Sequence, residues 1–544
     1  MTGNLIQRPV RMHSDFLGSS IMRCLMTPWY ALFVGFAMSV ALRAAEPRLW
    51  LYYATNLQVD ENVDQLEKIW RRAAASGYSR VLLTDSKFAR LGGLGDATKT
   101  YFNNINRVKR VAANLKMELI PALFSVGYSN NMLWHDANLA EGLPVKDALF
   151  VVSAGKARLQ PDPPVSLKPM PGWKDDSVMI AGDVATVAHH KGNARFIYPL
   201  TVSPYRCYHV SVAIQTKDFT GTPEIKALAD DRSLQLQNLG VQRTQDWKEH
   251  HVVFNSLNNR QVNLYFGVWG DTQGELQWKN WRIEEAGLTN VLRRPGAPCI
   301  VKGYTEGQDY EPINDPHLGN DPWPGEYRAW HEPPDIKTKN IPDGTRLRVS
   351  WYHPAIIYDG QVSCCPSEPK TAKLLADEAR RMKAAWGAKG YMMSHDEIRT
   401  LNWDESCQQR HLEAGAILAD NARTCAKLLG GKDIYVWSDM FDPHHNAVKD
   451  YYLVRGDLGG SWEGLDKNVI VVNWNFEKRD ESLKFFADRG HAQVIAGYYD
   501  GQISDARKWM ESAAKVNGLV GIMYTTWRSN YNDLEAFASI CRQK

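Results

Sequence analysis

The densest chemistry in this 544-residue chain lies in four consecutive residues, Ser394-His395-Asp396-Glu397, which follow the apolar run GYMM (390–393). Adjacent carboxyls raise the cost of ionising one another. One of the pair then tends to keep its proton near neutral pH, as a general acid must. On an extended strand two neighbours point to opposite sides, so both acids reach one pocket only if the chain leaves the strand there. Other apolar runs end in similar residue types: Tyr52-Tyr53, Asp85, Phe124, Trp437-Ser438-Asp439, Trp474, Tyr498-Tyr499-Asp500, and Tyr524 to Trp527. Carboxylates among flat aromatic faces suit cleavage of a glycosidic bond. One acid protonates the leaving oxygen, and a second group attacks or stabilises an oxocarbenium-like centre. No Ser-His-Asp context appears, and no GxGxxG or Walker sequence follows any strand.

The elements that must position these residues alternate. RLWLYYATN (48–56), RVLLTD (80–85) and MELIPALF (117–124) read as strands separated by helical patterns, the first helix opening near Asp60 and closing at Gly77. From about 150 to 285 the pattern becomes short alternating runs such as YRCYHVSVAIQT (205–216) and QVNLYFGVWG (261–270), which predict an antiparallel β-sandwich. Residues 286–344 are Pro-rich and read as an extended wrapping segment. A helix over 367–387 then restores the alternation, followed by strands near 390–398, 433–440, 468–474, 493–500 and 518–527.

Three strands before the insertion and five after it make eight. The segments 46–127 and 366–544 together hold 261 residues, the size of a (β/α)8 TIM barrel. The fold expected is therefore an α/β barrel with a large inserted antiparallel, jelly-roll-like β-sandwich inside 128–365. RLRVSWYHPAI (346–356), a ninth strand candidate, is assigned to the end of the insertion, and a doubly wound open sheet is the alternative. In such a barrel the C-terminal strand ends build the active site, and an insertion after the third strand emerges on that face.

Composition limits the partners. There are 64 Lys+Arg against 61 Asp+Glu, so no basic excess suggests nucleic acid. Nineteen Trp and 23 Tyr suit either large aromatic cores or stacking on sugars. Residues 1–45 read as an export signal: Arg23, an uncharged run WYALFVGFAMSVAL (29–42), and Ala44-Ala45. An uncleaved anchor is the alternative, and Met22 is an alternative start. Removal of 1–45 takes four Arg and one Asp and leaves 60 residues of each sign. The product is expected to be exported, periplasmic or extracellular, with a carbohydrate substrate and no nucleic-acid or membrane partner. The seven Cys beyond the signal are odd in number and sparse, and show no metal spacing. Asp439, Asp442, His444 and His445 lack a helical HExxH spacing, so no metal is expected, nor any cofactor. Trp134-His135-Asp136 and Glu141 follow the third strand, where they could line the cleft.

The helix 367–387 followed by YMMSHDEI resembles the family 20 glycoside hydrolases, the β-N-acetylhexosaminidases and their clan, over about 260 residues. The resemblance implies Glu397 as general acid/base and Asp396 as the acid that orients and stabilises the substrate's acetamido group, whose carbonyl oxygen is the nucleophile. It further implies Tyr498 or Tyr499 as the acetamido partner and Trp437, Trp474 and Trp527 as walls of the sugar site. His395, Asp439 and Asp500, at the same strand ends, are expected substrate contacts on position alone. The family's two Gly before Asp-Glu are replaced by Ser394 and His395, and Tyr52-Tyr53 stand where its first-strand Arg is expected. TQDWKEHHVVFNS (244–256) with LYFGVWG (264–270) resembles jelly-roll carbohydrate-binding modules. There Trp247 is expected in the core, and Trp269, Trp278 and Trp281 as a sugar platform. Two alternatives stand beside this reading: a retaining glycosidase with Asp500 as nucleophile, and a non-catalytic carbohydrate-binding protein.

Overall fold

The computed structural model describes residues 47–168 and 170–542, so the expected export signal lies outside the described residues. Eight parallel strands close a barrel: β1 (Arg48–Ala54), β2 (Tyr78–Thr84), β3 (Glu118–Leu123), β4 (Gly390–Met393), β5 (Asp433–Trp437), β6 (Val469–Asn473), β7 (Gln493–Ala496) and β8 (Leu519–Tyr524), with β8 paired back to β1. The helices that cover them are amphipathic. In α1 (Asp60–Ala75), Val63, Leu66, Trp70 and Ala73 recur at helical spacing and are all buried.

Period-two alternation divides each strand between two cores. Trp50, Tyr52, Met392, Tyr435, Trp437 and Met523 fill the barrel interior, whereas Leu51, Tyr53, Met393 and Val436 face the helices. Trp50 fits the interior because its indole lies over Gly521 of β8; a Cβ there would lie 2.4 Å from the indole nitrogen.

The insertion leaves after β3 and returns before the helix α2 (Pro369–Trp386). It holds three antiparallel sheets. Two five-stranded sheets form the sandwich, whose strands run from Trp173 to Glu285. The third joins Gly142–Ser153 to Arg346–Pro354, so the ninth strand candidate belongs to the insertion. Its edges include Ile300–Val301 and Ile336–Lys337, two short strands within the Pro-rich stretch. Among the described residues no helix is long and apolar enough to cross a membrane.

The sandwich core corrects one expectation directly. Trp278 is fully buried, edge-on to Phe196 and Phe266, which stack at 5.2 Å; it is core and not a platform. Trp247, expected in the core, is only half-buried, with the Lys279 amine 4.0 Å from its ring centre. Trp281 packs against the core from its rim. Trp269 lies under the Lys226 amine and lines a second cavity, between the sandwich and loops bearing Tyr358 and Tyr452. Replacing Trp278 by Ala is expected to cost about 3–5 kcal/mol of stability in urea unfolding, the usual price of a large aromatic core truncation. Little loss of stability would return Trp278 to the role of an exposed contact.

Candidate active site

At the C-terminal mouth of the barrel lies a cavity of about 420 Å³ lined by Tyr52, Tyr128, Asp396, Glu397, Trp437, Trp474, Tyr499 and Trp527. That is within the roughly 300–1,000 Å³ of small-molecule sites. Its walls form a connected aromatic series. Trp474 and Tyr499 stack at 5.5 Å and 9°, Tyr499 meets Trp527 edge-on at 5.7 Å, and Trp527 meets Tyr52 at 4.8 Å and Trp437 at 5.9 Å. Flat faces of this kind stack on the C–H faces of a sugar while excluding water.

Four non-glycine residues at the barrel mouth hold left-handed backbone. Phe124 at the end of β3, Glu397 after β4, and Tyr499 and Asp500 after β7 all adopt φ between 49° and 63°. Such left-handed, non-glycine positions persist only where surroundings enforce them, and they cluster at functional sites. At Glu397 the enforcing contact is Asp439, whose Oδ2 accepts the Glu397 N–H at 2.9 Å. The chain leaves the strand here, so Asp396 and Glu397 both reach the cavity. Gly127 lets the β3 loop lie against this turn, since a Cβ there would be 2.1 Å from the Asp396 carbonyl oxygen. Gln361, from the returning end of the insertion, donates to the carbonyls of both Gly127 and Glu397 at 3.0 Å.

The two acids sit in unlike surroundings. Glu397 is ion-paired through Oε1 with Arg399 at 2.5 Å, and its Oε2 accepts from the Tyr128 hydroxyl. Arg399 is itself buried, donates to Gln361, and lies over the rings of Tyr358 at 4.8 Å and Tyr452 at 5.2 Å. The Asp396 carboxylate accepts no hydrogen bond from another described side chain. Enclosure pushes its pKa up to about 8, with the neighbouring Asp439 and Glu397 adding to the effect. Burial likewise raises Tyr52 to about 12, so its phenol stays a donor.

Other expected contacts prove to be supports. Asp439 is wholly buried; besides the Glu397 amide it accepts from Asn446 Nδ2 at 2.9 Å and from Trp474 Nε1 at 3.3 Å, and so holds the pocket from below. His395 points away from the pocket, between Phe124 and Phe441, with Nε2 paired to Asn421 Oδ1 at 3.0 Å; burial lowers it to about 4 and keeps it neutral. Tyr498 stacks on Tyr524 at 4.3 Å in the outer core and donates to Asp533, so Tyr499, not Tyr498, lines the cavity. Asp500 accepts from the Thr526 hydroxyl and from the amides of Trp527 and Arg528, which fixes the β8 loop and leaves Asp500 outside the lining. Trp134, His135, Asp136 and Glu141 also lie outside it. Asp136 caps the turn 137–139 and pairs with Lys370, while Glu141 is buried elsewhere.

Two residues the sequence reading missed complete the site: Tyr128, four residues past Phe124, and Arg399, two past Glu397. The i+2 spacing of a cation after a strand-end acid was the available signal for Arg399.

No protein-family model matches the sequence, and no curated protein does. Solved structures similar to the chain include the tandem family 20 catalytic modules of a pneumococcal exo-β-D-N-acetylglucosaminidase, at 9% identity and TM-score 0.35, covering 91% of this chain and 83% of that one. A rhamnosidase from Novosphingobium is 12% identical at TM-score 0.31, over 88% of this chain and 55% of that one. A family 20 exo-β-N-acetylglucosaminidase from Vibrio harveyi is 9% identical at TM-score 0.28, over 66% and 94%.

The raised Asp396 has a stability consequence with a definite sign. The folded state holds this proton up to about pH 8, whereas an unfolded Asp releases it near 3.8, so ionisation penalises folding increasingly as pH rises between those values. Asp396→Asn is therefore expected to raise Tm relative to wild type by more at pH 8 than at pH 5. An equal shift at both pH values would show that Asp396 titrates normally.

Proposed function

We propose that this chain is an exported glycoside hydrolase that cleaves N-acetylhexosaminides with retention, the substrate's own acetamido oxygen acting as nucleophile. The observation that carries the reading is the acid inventory of the pocket. One adjacent pair, Asp396 and Glu397, lines it, and among the described residues no third carboxylate does, because Asp500 is spent on the β8 loop. A retaining enzyme with its own nucleophile places two carboxyls about 5–5.5 Å apart on either side of the bond. A substrate-assisted one needs only an acid/base and a carboxylate that orients the acetamido group. The aromatic walls suit the acetamido methyl as well as the ring. The signal-like pattern of 1–45 supports the exported part of the proposal.

In this reading Glu397 protonates the leaving oxygen and later activates water. Asp396, free of side-chain donors, accepts the acetamido N–H and steadies the cyclic cation that forms. Tyr128 and Arg399 position Glu397, and Tyr499 stands beside the acetamido group. A second assignment has its own support. Asp396 is the acid that keeps its proton, while Arg399 and Tyr128 engage both oxygens of Glu397, which favours Asp396 as proton donor.

Kinetics separates the two. Glu397→Gln is expected to lower kcat on a methylumbelliferyl N-acetylglucosaminide or N-acetylgalactosaminide by about 10²–10⁴. For a dinitrophenyl N-acetylglycoside, whose leaving group needs no acid, kcat/KM should largely survive in that variant, because it reports only the step before water enters. If instead Asp396→Asn shows this leaving-group rescue, the roles are exchanged. Activity on plain glucosides or galactosides equal to that on the N-acetyl sugars would overturn the acetamido mechanism.

A further inference from the structure

Away from the pocket, four buried side chains converge where the insertion joins the barrel: Glu141 just before its first long strand, Cys365 just before α2, and Asp404 and Cys407 in the loop that continues from Glu397. One ligand atom from each lies within 4.8 Å of all the others. The sulfurs of Cys365 and Cys407 are 3.6 Å apart, Cys365 Sγ is 3.4 Å from Asp404 Oδ1, and Cys407 Sγ is 3.5 Å from Glu141 Oε2.

A tetrahedral zinc site with bonds of about 2.3 Å to sulfur and about 2.0–2.2 Å to oxygen sets its ligands about 3.8 Å apart for S···S and about 3.5–3.7 Å for S···O. The three separations here match those edges to within about 0.2 Å. The remaining carboxylate oxygens are already tied down, as ligand carboxylates usually are. Glu141 Oε1 accepts the amides of Trp403 and Asp404 at 2.7 and 3.2 Å, and Asp404 Oδ2 pairs with Arg294 at 2.5 Å. Two carboxylates and two sulfurs buried together around one guanidinium leave negative charge that a divalent cation would neutralise. Asp404 Oδ1 also accepts the Cys407 amide at 3.1 Å, so a disulfide would satisfy the sulfurs but leave Glu141 Oε2 without a donor.

We infer that Glu141, Cys365, Asp404 and Cys407 form a structural site for a thiophilic divalent cation of the zinc type. The site fastens both ends of the insertion to the loop that carries Glu397 and Arg399. It lacks an open position for substrate, so the ion's part is mechanical, and the inference is independent of what the pocket hydrolyses. The thiols lose their protons on binding, which makes occupancy fall in acid.

The test is metal content and thiol chemistry of the exported protein purified without chelator. The site predicts one zinc per chain by elemental analysis, lost in Cys365→Ser/Cys407→Ser. It also predicts that chelator-stripped protein regains thermal stability when zinc chloride alone is added. Cys365 and Cys407 should resist alkylation until a chelator is present, without any reductant. Absence of zinc, with no effect of added zinc on Tm, would overturn the inference. Two forms of that outcome are distinguishable in the wild-type protein: cysteines that alkylate only after reduction are a disulfide, and cysteines that alkylate at once on unfolding are free thiols. Should the double variant fail to fold, zinc content, zinc titration and alkylation of the wild-type protein decide the matter alone.

Discussion

The pocket depends on one buried carboxylate that never faces it. Asp439 follows β5, is fully enclosed, and is raised by that enclosure to about 6. A buried carboxylate without partners would cost several kcal/mol. Its three donors come from three different parts of the barrel mouth: the Glu397 amide after β4, the Asn446 amide in the β5 loop, and the Trp474 indole after β6. Satisfying this one group therefore fixes the left-handed turn that brings Glu397 beside Asp396. It also fixes the face of Trp474 on which Tyr499 stacks. Remove the carboxylate and the turn and the wall lose their common anchor.

A second constraint acts from outside the barrel. Arg399 occupies Glu397, and it is held by residues the insertion and the β5 loop bring in: Gln361, Tyr358 and Tyr452. Arg232 of the sandwich donates to the carbonyls of Tyr452 and Val454 and locks that loop from above. The insertion is thus coupled to the acid pair through a short chain of contacts. Whatever anchors its two ends bears on how Glu397 is held.

The barrel was legible because each strand is a short apolar run ending in chemically distinctive residues, and because eight such runs leave one closed arrangement of ordinary size. Asp396, Glu397, Trp437, Trp474 and Trp527 could be placed at the mouth on the same ground. What local pattern could not give was the direction of side chains once a strand ends. β7 stops at Ala496, so alternation no longer ranks Tyr498 against Tyr499, and the tertiary stack on Tyr524 decides it. Similarly, Asp439 and Asp500 read as substrate contacts because strand-end carboxylates look alike in sequence; apart from Asn446, their donors lie 26 to 42 residues away. Trp278 and Trp247 exchanged environments in keeping with strict alternation, which the resemblance overrode: Trp278 is in phase with buried Leu276, and Trp247 is out of phase with buried Val252 and Phe254. The convergence of Glu141, Cys365, Asp404 and Cys407 left no spacing to read, because the cluster is assembled across 266 residues of chain.

The central claim is that the pocket is shaped around an acetamido group poised to attack its own sugar. The most direct measurement is calorimetric binding of a thiazoline analogue, in which the acetamido group is already cyclised onto the ring, against N-acetylglucosamine, with wild type and with Asp396→Asn. A site complementary to the cyclised species binds the thiazoline at least about a hundredfold more tightly than the sugar, and loses most of that preference with Asp396→Asn. Equal affinity for the two ligands, or a preference untouched by the substitution, would contradict the account.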